Sequence, residues 1–507
     1  MGGLTALMAA GYSTFSLILN YTFQTSSYDL VIFDQAVRSY AHLQPGISVV
    51  KGLHNNFGAH FSVLGDHWSP ILALLAPLYW IFNSPETLLV AQAVLFALAV
   101  PPLWLFTRRA FGGGRKATGA AYLVSVAYGL SWPIASAAAF DFHEVAFAPV
   151  LTAVALERLQ AGRLRTALIA LALLLLVKED MGLFVAGIGV YLAVARPRMV
   201  SRQRLVGLAL IVLGVADTWV ATYLLIPAFG GRSSYYWAYG ALGQNAPQVL
   251  AHIVAHPLGA LRLLITPGVK LDTMLWLLAP FCLLPLLSPI TIAVIPLLLE
   301  RMLQNQFPNW WITAYHYNAY LVIILVCGAV DGAARLDRWV LRARQDRTLA
   351  GTTARARADR SVGTVALVSA AVMCALAVYL VPRFALGPAL HPSFYQRNAE
   401  QATAAAAVAA VPAGVTVEAV NRLGPHLSGP DTVLLWDGDG GSPLYPPWVL
   451  AAVVGRQFTF HSVAQQEQRL ALLRKHGYQT VFDRGGFIVM HSPGASTPVT
   501  GSAEGAG

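Results

Sequence analysis

Apolar stretches nearly as long as a bilayer is thick recur along the chain, with short polar loops between them. A helix of about 20 apolar residues crosses roughly 30 Å of hydrocarbon. Inside lipid each backbone amide must be satisfied within its own segment, so these stretches are predicted to be α-helices. Eleven candidate spans follow, several of them shorter than the bilayer: 4–23, 86–107, 117–139, 145–157, 166–177, 181–195, 205–227, 273–287, 289–303, 318–334 and 361–382.

Positive charge in the short loops sets the predicted orientation. More than half of the 34 lysines and arginines lie in four loops, at 108–116, 158–165, 196–204 and 335–360. Cytoplasmic loops carry such an excess, so these four are predicted to be cytoplasmic. The chain is then a multi-pass protein of the cell (plasma) membrane, with its N-terminus cytoplasmic and its C-terminus outside. No signal-peptide cleavage site precedes the first span, which is expected to be retained.

The apolar segment 70–82 (PILALLAPLYWIF) is too short to count as a span. If it crossed the bilayer, the helix at 86–107 would deliver Arg108 and Arg109 to the outer side. Apolar segments of about 10–14 residues are more typical of interfacial or re-entrant helices. We therefore expect this segment to lie in the membrane interface, within an external loop at 24–85.

The chain changes character after residue 382. Alternating strand and helix signals predict a small α/β domain there. The predicted organisation is a transmembrane domain at 1–382, an extracytoplasmic α/β domain at 383–491 and a disordered tail at 492–507. The strand signals are at 415–420, 432–436, 448–454, 478–482 and 487–490, and the helical signals are at 395–411 and 463–476.

Composition narrows the class of protein further. Hydrophobic residues make up 56% of the chain and charged residues 11%, where a soluble chain carries roughly 25% charged residues. The net charge of +10 sits in the loops, and no basic patch with interleaved aromatics is present, so no nucleic-acid partner is expected. The P-loop, GxSxG and HExxH motifs of soluble enzymes are absent.

Acids collect in the first external loop. Asp29 and Asp34 follow the first span directly, and Asp34 lies on the stretch 30–41, whose apolar residues at helical spacing predict an interfacial amphipathic helix. Asp66 and His67 precede the 70–82 helix. A carboxylate held at the lipid–water boundary can act as a general base or as a metal ligand. The alternative is that these are solvated surface acids or helix caps.

A second polar cluster occupies the turn between two predicted spans. Asp141, His143 and Glu144 stand within four residues there, flanked by apolar helices. Ionisable groups at such a position are costly unless they are solvated and paired. The turn is therefore either a functional site or an ordinary solvated turn.

A third cluster, Lys178, Glu179 and Asp180, separates two short apolar segments. Because both neighbours are short, the triplet is expected to lie below the outer surface, in a cavity. A lysine there suits a phosphate as a compact point charge. An internal ion pair with Glu179 or Asp180 is the alternative.

The loop before the tenth span is rich in aromatic residues. Its sequence, QNQFPNWWITAYHYNAY, includes Trp311 and His316. Such residues suit an aromatic belt at the membrane interface, and aromatic surfaces with polar groups also suit sugars. Both interpretations stay open for Trp311 and His316.

Several runs resemble a known family. The stretches YDLVIFDQAV, GDHWSPILALLAPLYWIF, VKEDMGLFVAGIGVYL, NAYLVIIL and VEAVNRLGPHLS resemble an uncharacterised family of bacterial polytopic membrane proteins, over roughly residues 20–490. That family is similar to the GT-C superfamily, whose glycosyltransferases take a sugar from a polyprenyl-phosphate carrier. The resemblance implies a GT-C-like fold of about 11 transmembrane helices with a small α/β domain. Two departures are Glu179-Asp180 after Lys178 and Gln35 after Asp34.

The resemblance also implies roles for the candidate residues. Asp34 matches the first-loop acid and would be the catalytic base of an inverting transfer, and Asp141 matches the second acid. Lys178 would meet the carrier phosphate. Substrate-binding roles are expected for Asp29, Glu144, His316 and Trp311, and a divalent metal ion is a further expectation, held by Asp66, His67 and His143.

The implied partners are a polyprenyl-phosphate-linked sugar, a cell-envelope glycan or lipid acceptor, and membrane lipids. Two other functions stay open. A transporter or flippase would use Asp217, Lys178 and Asp180 along a path through the bilayer. A non-catalytic assembly or sensing protein would use its C-terminal domain for binding.

Overall fold

Apolar helices packed around one buried helix, α18, form most of the molecule. The structure is a computed structural model that describes residues 1–194, 201–347, 364–436, 445–454 and 458–494. The helix α18 packs against α6, α9 and α19. The α-helices of the described residues are α1 (Gly2–Tyr21), α2 (Ile32–Ala41), α3 (Val49–His54), α4 (Ala76–Tyr79), α5 (Glu86–Leu98), α6 (Val100–Ala110), α7 (Gly114–Gly129), α8 (Trp132–Ala139), α9 (Phe147–Gln160), α10 (Leu164–Leu174), α11 (Met181–Val194), α12 (Ser201–Val220), α13 (Ile226–Ala228), α14 (Ala246–Ala255), α15 (Pro257–Ile265), α16 (Val269–Leu278), α17 (Ile295–Leu303), α18 (Ala319–Arg347), α19 (Thr364–Leu380), α20 (Ala399–Ala409) and α21 (Val463–Lys475).

Six helices of the described residues are long and apolar enough to cross a membrane, or seven if one bent pair is a single span. They confirm the polytopic helical architecture. Each of the six falls on a predicted span, at 4–23, 86–107, 117–139, 205–227, 318–334 and 361–382. The other five predicted spans are shorter or interrupted helices, so the number eleven stays a prediction.

The segments around 228–303 differ from the simple loop and spans expected there. The bent pair is α14 and α15, inside the predicted loop 228–272, with a 106° bend between them. Pro257 begins α15 and cannot donate a backbone hydrogen bond, which explains the break. The predicted span 273–287 is interrupted where Cys282 and Leu283 adopt left-handed φ values of 54° and 56°.

Glycines let α11 and α12 pack closely. A Cβ added at Gly182 would lie 2.3 Å from the carbonyl oxygen of Gly214, and one added at Gly189 would lie 2.6 Å from that of Gly207. Small residues at such crossings allow two backbones to approach in a membrane. The two pairs, seven residues apart on each helix, therefore define the contact face of this helix pair.

The segment 70–82 forms a short helical element and not a long span. A 3₁₀ turn at Pro70–Leu75 runs into α4, which packs against α2. The other side of the segment leaves Leu74, Trp80 and Ile81 exposed. An apolar exposed side agrees with the predicted interfacial position.

The C-terminal part contains the predicted small α/β domain, which is confirmed. Its sheet has the strand order β2-β1-β3-β5-β4, with β1 parallel to β2 and β3, and β5 antiparallel to β3 and β4. The strands are β1 (Thr416–Ala419), β2 (Thr432–Leu435), β3 (Trp448–Ala452), β4 (Gln479–Arg484) and β5 (Phe487–His491). Most of the predicted disordered tail at 492–507 lies outside the described residues.

The C-terminal domain docks on the first loop. The Gln35 side chain donates to the Val433 carbonyl at 2.9 Å, and the Ser27 N–H donates to the Asn421 carbonyl at 2.6 Å. The first loop and the sheet therefore share one end of the helix bundle, called here the sheet end. Arg335 lies sixteen residues into α18, roughly 24 Å along its axis, and marks the opposite end.

Candidate functional site

A polar cavity of about 1040 Å³ lies at the sheet end of the bundle. Its walls come from the first loop, the turn between α8 and α9, the loop before α18, the segment after α19 and the C-terminal domain. A concave space with convergent polar groups is the usual form of a ligand site. This central cavity is lined by Phe15, Leu19, Gln24, Ser26, Tyr28, Asp29, His54, Asn56, Ala139, Phe140, Asp141, His143, Asn309, Tyr315, His316, Tyr317, Ala385, Pro388, Phe394, Asn421, Arg422, Phe460 and His461.

The turn that carries Asp141 and His143 is fixed from two sides. Gln92 of α5 donates to the carbonyl oxygens of Ala137 and Asp141. Its side-chain oxygen accepts from the His143 N–H at 3.1 Å. From the other side, Ser26 donates to the Asp141 carboxylate through its N–H at 3.2 Å and its hydroxyl at 2.5 Å. Asp141 is thereby held in a left-handed conformation, with φ of +46°, at the cavity wall.

Asp29 and two stacked histidines form the centre of the site. Asp29 lies on the π-helical turn Ser27–Val31, with its Oδ1 3.5 Å from His143 Nε2. The His143 ring stacks on His316, with the ring centroids 3.6 Å apart. Both imidazoles are more than nine-tenths buried, and within the described residues neither Nδ1 has a hydrogen-bond partner. Such groups can exchange a proton with a bound hydroxyl.

The carboxyl of Asp141 is poised between its two protonation states near neutral pH. Burial is the main cause and the negative charge of Asp29 adds to it, so that the pKa of Asp141 is raised to about 7. The hydrogen bonds from Ser26 and the nearby His143 act in the other direction. A perturbed acid in a cavity is a typical mark of a functional site.

One wall of the cavity belongs to the C-terminal domain. Asn421 follows β1, and its side-chain oxygen accepts from the Tyr28 N–H at 2.9 Å. Its backbone carbonyl accepts from Ser27, so Asn421 holds the turn that carries Asp29. The next residue, Arg422, is half-buried and lines the cavity. Burial lowers the pKa of Arg422, and the Asp141 carboxylate opposes that effect.

Asp34 lies outside the central cavity. Its side chain is fully buried, forms an ion pair with Arg38 at 2.8 Å, and accepts from the Tyr79 hydroxyl at 2.8 Å. The Ser428 hydroxyl of the C-terminal domain donates to it at 2.5 Å. This arrangement ties α2, α4 and the C-terminal domain together, and it leaves the carboxylate closed to a ligand.

The residues expected to share a metal ion are not brought together. Asp66 pairs with Lys51 at 2.9 Å and accepts from the Tyr236 hydroxyl at 2.7 Å. Burial opposes ionisation of Asp66, but the charges of Lys51 and His67 and the hydrogen bonds from Lys51 and Tyr236 together outweigh it and hold the pKa of this carboxyl below its ordinary value. His67 pairs instead with Glu179 at 2.8 Å. Within the described residues no three His, Cys, Asp or Glu side chains are grouped to hold a metal ion.

Lys178 lies in a separate pocket of about 40 Å³, together with Glu179 and Asp180. Its Nζ is 3.6 Å from Oε1 of Glu144, a residue that is almost fully buried. Burial opposes the charged form of Lys178, but the neighbouring carboxylates, first that of Glu144, outweigh it and hold the lysine pKa well above its ordinary value. Tyr317 lines both this pocket and the central cavity and stands between them.

Of the aromatic candidates, His316 lines the central cavity and Trp311 does not. Trp311 is buried, and the Nζ of Lys270 lies 4.4 Å from its ring centroid. This cation–π contact packs the loop before α18 against α16. The predicted binding role of Trp311 stays a prediction.

An apolar groove of about 640 Å³ adjoins the central cavity. It follows α1 from Leu4 to Phe15, roughly 16 Å, against α7 and the segment after α19. Phe15 and Phe394 line both the groove and the central cavity, and their rings stack with centroids 5.5 Å apart. The groove therefore leads from the side of the bundle to the polar site.

Sequence reasoning missed two residues that build the site, Gln92 and Arg422. Gln92 had a usable signal, because it is the one amide within the apolar run LLVAQAVLFAL. A polar side chain inside a span normally finds a partner across the bundle. Arg422 carried no local signal, since only the docking of the C-terminal domain brings it opposite Asp141.

The fold is that of a GT-C-like polytopic membrane protein. ArnT from Cupriavidus metallidurans, whose crystal structure is bound to undecaprenyl phosphate, has a TM-score of 0.51 to this chain with 13% sequence identity. The match covers 96% of this chain and 97% of ArnT. No curated protein matches the chain. The chain belongs to the family described as "Predicted membrane protein (DUF2079)", whose model matches residues 19–489.

Proposed function

We propose that the protein is a membrane glycosyltransferase that moves a sugar from a polyprenyl-phosphate donor to an acceptor in the central cavity. One observation carries the proposal: Asp29 and Asp141 face the same cavity beside the stacked His143 and His316. Two carboxylates and free imidazole nitrogens in one cavity suit proton transfer from an attacking hydroxyl.

The apolar groove is the proposed site of the isoprenoid chain. A groove lined by α1 and α7 gives such a chain apolar contact, and its continuity with the cavity at Phe15 and Phe394 lets the headgroup enter. The fold shared with ArnT, which was crystallised with undecaprenyl phosphate, supports a carrier of this class.

Asp29 is the proposed base. The proton of an acceptor hydroxyl passes to the Asp29 carboxylate while the hydroxyl oxygen forms a bond to the anomeric carbon. The bond from that carbon to the phosphate oxygen breaks, the carrier leaves as polyprenyl phosphate, and the anomeric configuration inverts. Asp141, held by Ser26, orients the acceptor, and His143 takes up the proton from Asp29.

This assignment replaces Asp34 by Asp29 for a physical reason. A base must reach the hydroxyl within hydrogen-bond distance. The Asp34 side chain is fully enclosed by Arg38, Tyr79 and Ser428. We therefore propose that Asp34 has a structural role and holds the C-terminal domain on the first loop.

The acceptor is proposed to be an extracytoplasmic glycan or lipid. Rings of Tyr28, Tyr315 and Phe460 line the cavity and suit the faces of a sugar. Arg109, Arg335 and other basic residues gather at the opposite end, which by the positive-inside rule is the cytoplasmic end. The sheet end and its acceptor would then lie outside.

A transporter is less well supported. The pocket at the opposite end, lined by Arg109 and Arg335, shares no lining residue with the central cavity. Asp217 lines neither of them. A transport path needs polar groups through the membrane depth.

The test is turnover by the purified protein in lipid nanodiscs. A panel of polyprenyl-phosphate sugars is offered with a glycan acceptor, and release of polyprenyl phosphate is measured for wild type and for Asp29→Asn. Release by the wild type that is lost in the variant is expected. If the folded wild-type protein binds none of the donors and releases no polyprenyl phosphate from any of them, the transferase proposal is contradicted.

A further inference from the structure

We propose that Arg422 of the C-terminal domain binds the phosphate of the lipid carrier in the central cavity, so that this domain is part of the active site. The inference rests on the proposed function for the identity of the lipid. It changes the expected phosphate ligand from Lys178 to a residue of another domain.

Arg422 is fixed at the cavity wall by the backbone around it. Its N–H donates to the Phe458 carbonyl at 3.2 Å, and the preceding Asn421 accepts from both Ser27 and Tyr28. The same contacts set the position of the turn that carries Asp29. The backbone of Arg422 and the turn that carries the proposed base are therefore held together at one cavity.

Among the described residues the Arg422 guanidinium interacts electrostatically with the Asp141 carboxylate, but no side chain forms an ion pair or a hydrogen bond with it. A half-buried charge without a partner has lost part of its hydration, and a bound anion would restore the missing interactions. The planar guanidinium fits two phosphate oxygens at once.

The charge around the cavity also favours an anion at this wall. Of the described residues that line it, Arg422 is the only lysine or arginine. The acids Asp29, on the first loop, and Asp141, on the turn between α8 and α9, line the same space. A phosphate on Arg422 would place the neighbouring anomeric carbon between the arginine and the two carboxylates, as the transfer requires.

Lys178 is poorly suited to the same task. Its pocket of about 40 Å³ is close to the roughly 30 Å³ that one water occupies. Glu144, Glu179 and Asp180 already surround its ammonium. A phosphate there would meet three carboxylates.

The experiment measures binding of undecaprenyl phosphate to the full-length protein in nanodiscs. Wild type is compared with Arg422→Gln, Arg422→Lys and Lys178→Met, and with Arg484→Gln, which removes an exposed arginine of the same domain. Undecaprenol, which lacks the phosphate, is titrated in parallel. Thermal unfolding of each variant checks the fold.

Arg422→Gln is expected to weaken undecaprenyl phosphate binding by about 10- to 100-fold, with a smaller loss in Arg422→Lys. Undecaprenol should bind wild type and Arg422→Gln equally, and Lys178→Met and Arg484→Gln should bind the phosphate like wild type. Binding of inorganic phosphate that depends on Arg422, together with undecaprenyl phosphate binding that does not, would assign the subsite to free phosphate and overturn the lipid assignment.

Two outcomes separate this inference from the proposed function. If wild type binds undecaprenyl phosphate and Arg422→Gln binds it equally well, or if Lys178→Met carries the loss, the Arg422 assignment fails while the transferase proposal stands. If wild type does not bind the carrier, the transferase proposal itself fails.

Discussion

Asp29 and Asp34 lie five residues apart in the first loop, yet they have opposite environments. The Asp29 side chain is 23% exposed and faces the central cavity, whereas that of Asp34 is fully buried in an ion pair with Arg38. Asp29 lies on the π-helical turn Ser27–Val31, whereas Asp34 lies on α2. Which acid is free to react therefore depends on the local backbone and on tertiary partners.

Asp66 and Asp141 extend the comparison to a second pair. Both are enclosed, but Asp66 lies against Lys51, and Asp141 lies near the negative charge of Asp29. The pKa of the first is lowered and that of the second is raised to about 7. Burial raises the pKa of both carboxyl groups, and the surrounding charges and hydrogen bonds reverse this effect at Asp66 but not at Asp141.

The largest expected effect is a loss of sugar transfer on substitution of Asp29, which distinguishes this residue from Asp34. Asp29→Asn should reduce sugar transfer about 100- to 10,000-fold, because the variant cannot accept the hydroxyl proton. Steady-state transfer in nanodiscs measures it, and binding of undecaprenyl phosphate serves as the control for folding. Transfer at the wild-type rate in Asp29→Asn would exclude Asp29 as the base.

Asp34→Ala should act on stability instead. Removing one partner of a buried ion pair typically costs about 3 kcal/mol, and here it also frees the Ser428 hydroxyl of the C-terminal domain. We expect a lower Tm and faster proteolysis between the two domains, with transfer per folded molecule close to wild type. A stable Asp34→Ala protein that has lost transfer would reverse the roles of the two acids.

Gln92→Met tests whether the hydrogen bonds that Gln92 makes to the turn of Asp141 and His143 are needed for sugar transfer. The variant keeps side-chain size but loses the hydrogen bonds to Asp141 and His143. Transfer should fall about tenfold through misplacement of the turn, with carrier binding unchanged. Gln160→Met at the opposite end is the control, and an equal loss in both variants would indicate a general packing defect.

The smallest expected effect is a pH-dependent shift in Tm. Since the pKa of Asp141 rises from 3.8 to about 7 on folding, its contribution to stability is complete below pH 3.8 and is lost as the pH climbs through 7. Asp141→Asn cannot ionise, so its Tm relative to wild type should be a few degrees higher at pH 8 than at pH 5. A difference that does not change with pH would argue against a buried acidic Asp141.

The sequence predicted the features that depend on local patterns. Apolar length identified the long helices, and each of the five strands overlaps one of the five short apolar runs predicted to be strands. The polar turn at Asp141 and His143 was visible because charges between apolar helices are unusual. The bent pair at Pro257 was missed because its apolar residues were counted as part of a loop.

The rest of the site depends on contacts between distant parts of the chain. Asn421 and Arg422 reach the cavity only because the sheet docks on residues nearly 400 positions earlier. Lys178 had the expected position between two short helices, but the sequence did not indicate that Glu144 lies beside it. No local pattern distinguishes a free cation from a paired one.

The most direct test is a cryo-EM structure of Asp29→Asn in nanodiscs with a polyprenyl-phosphate sugar. Density for the isoprenoid chain along α1 in the apolar groove, with the sugar phosphate in the central cavity between Arg422 and residue 29, is the predicted result. A donor headgroup in the Lys178 pocket or at the end of the bundle opposite the sheet, with the central cavity free of it, would contradict the proposed site.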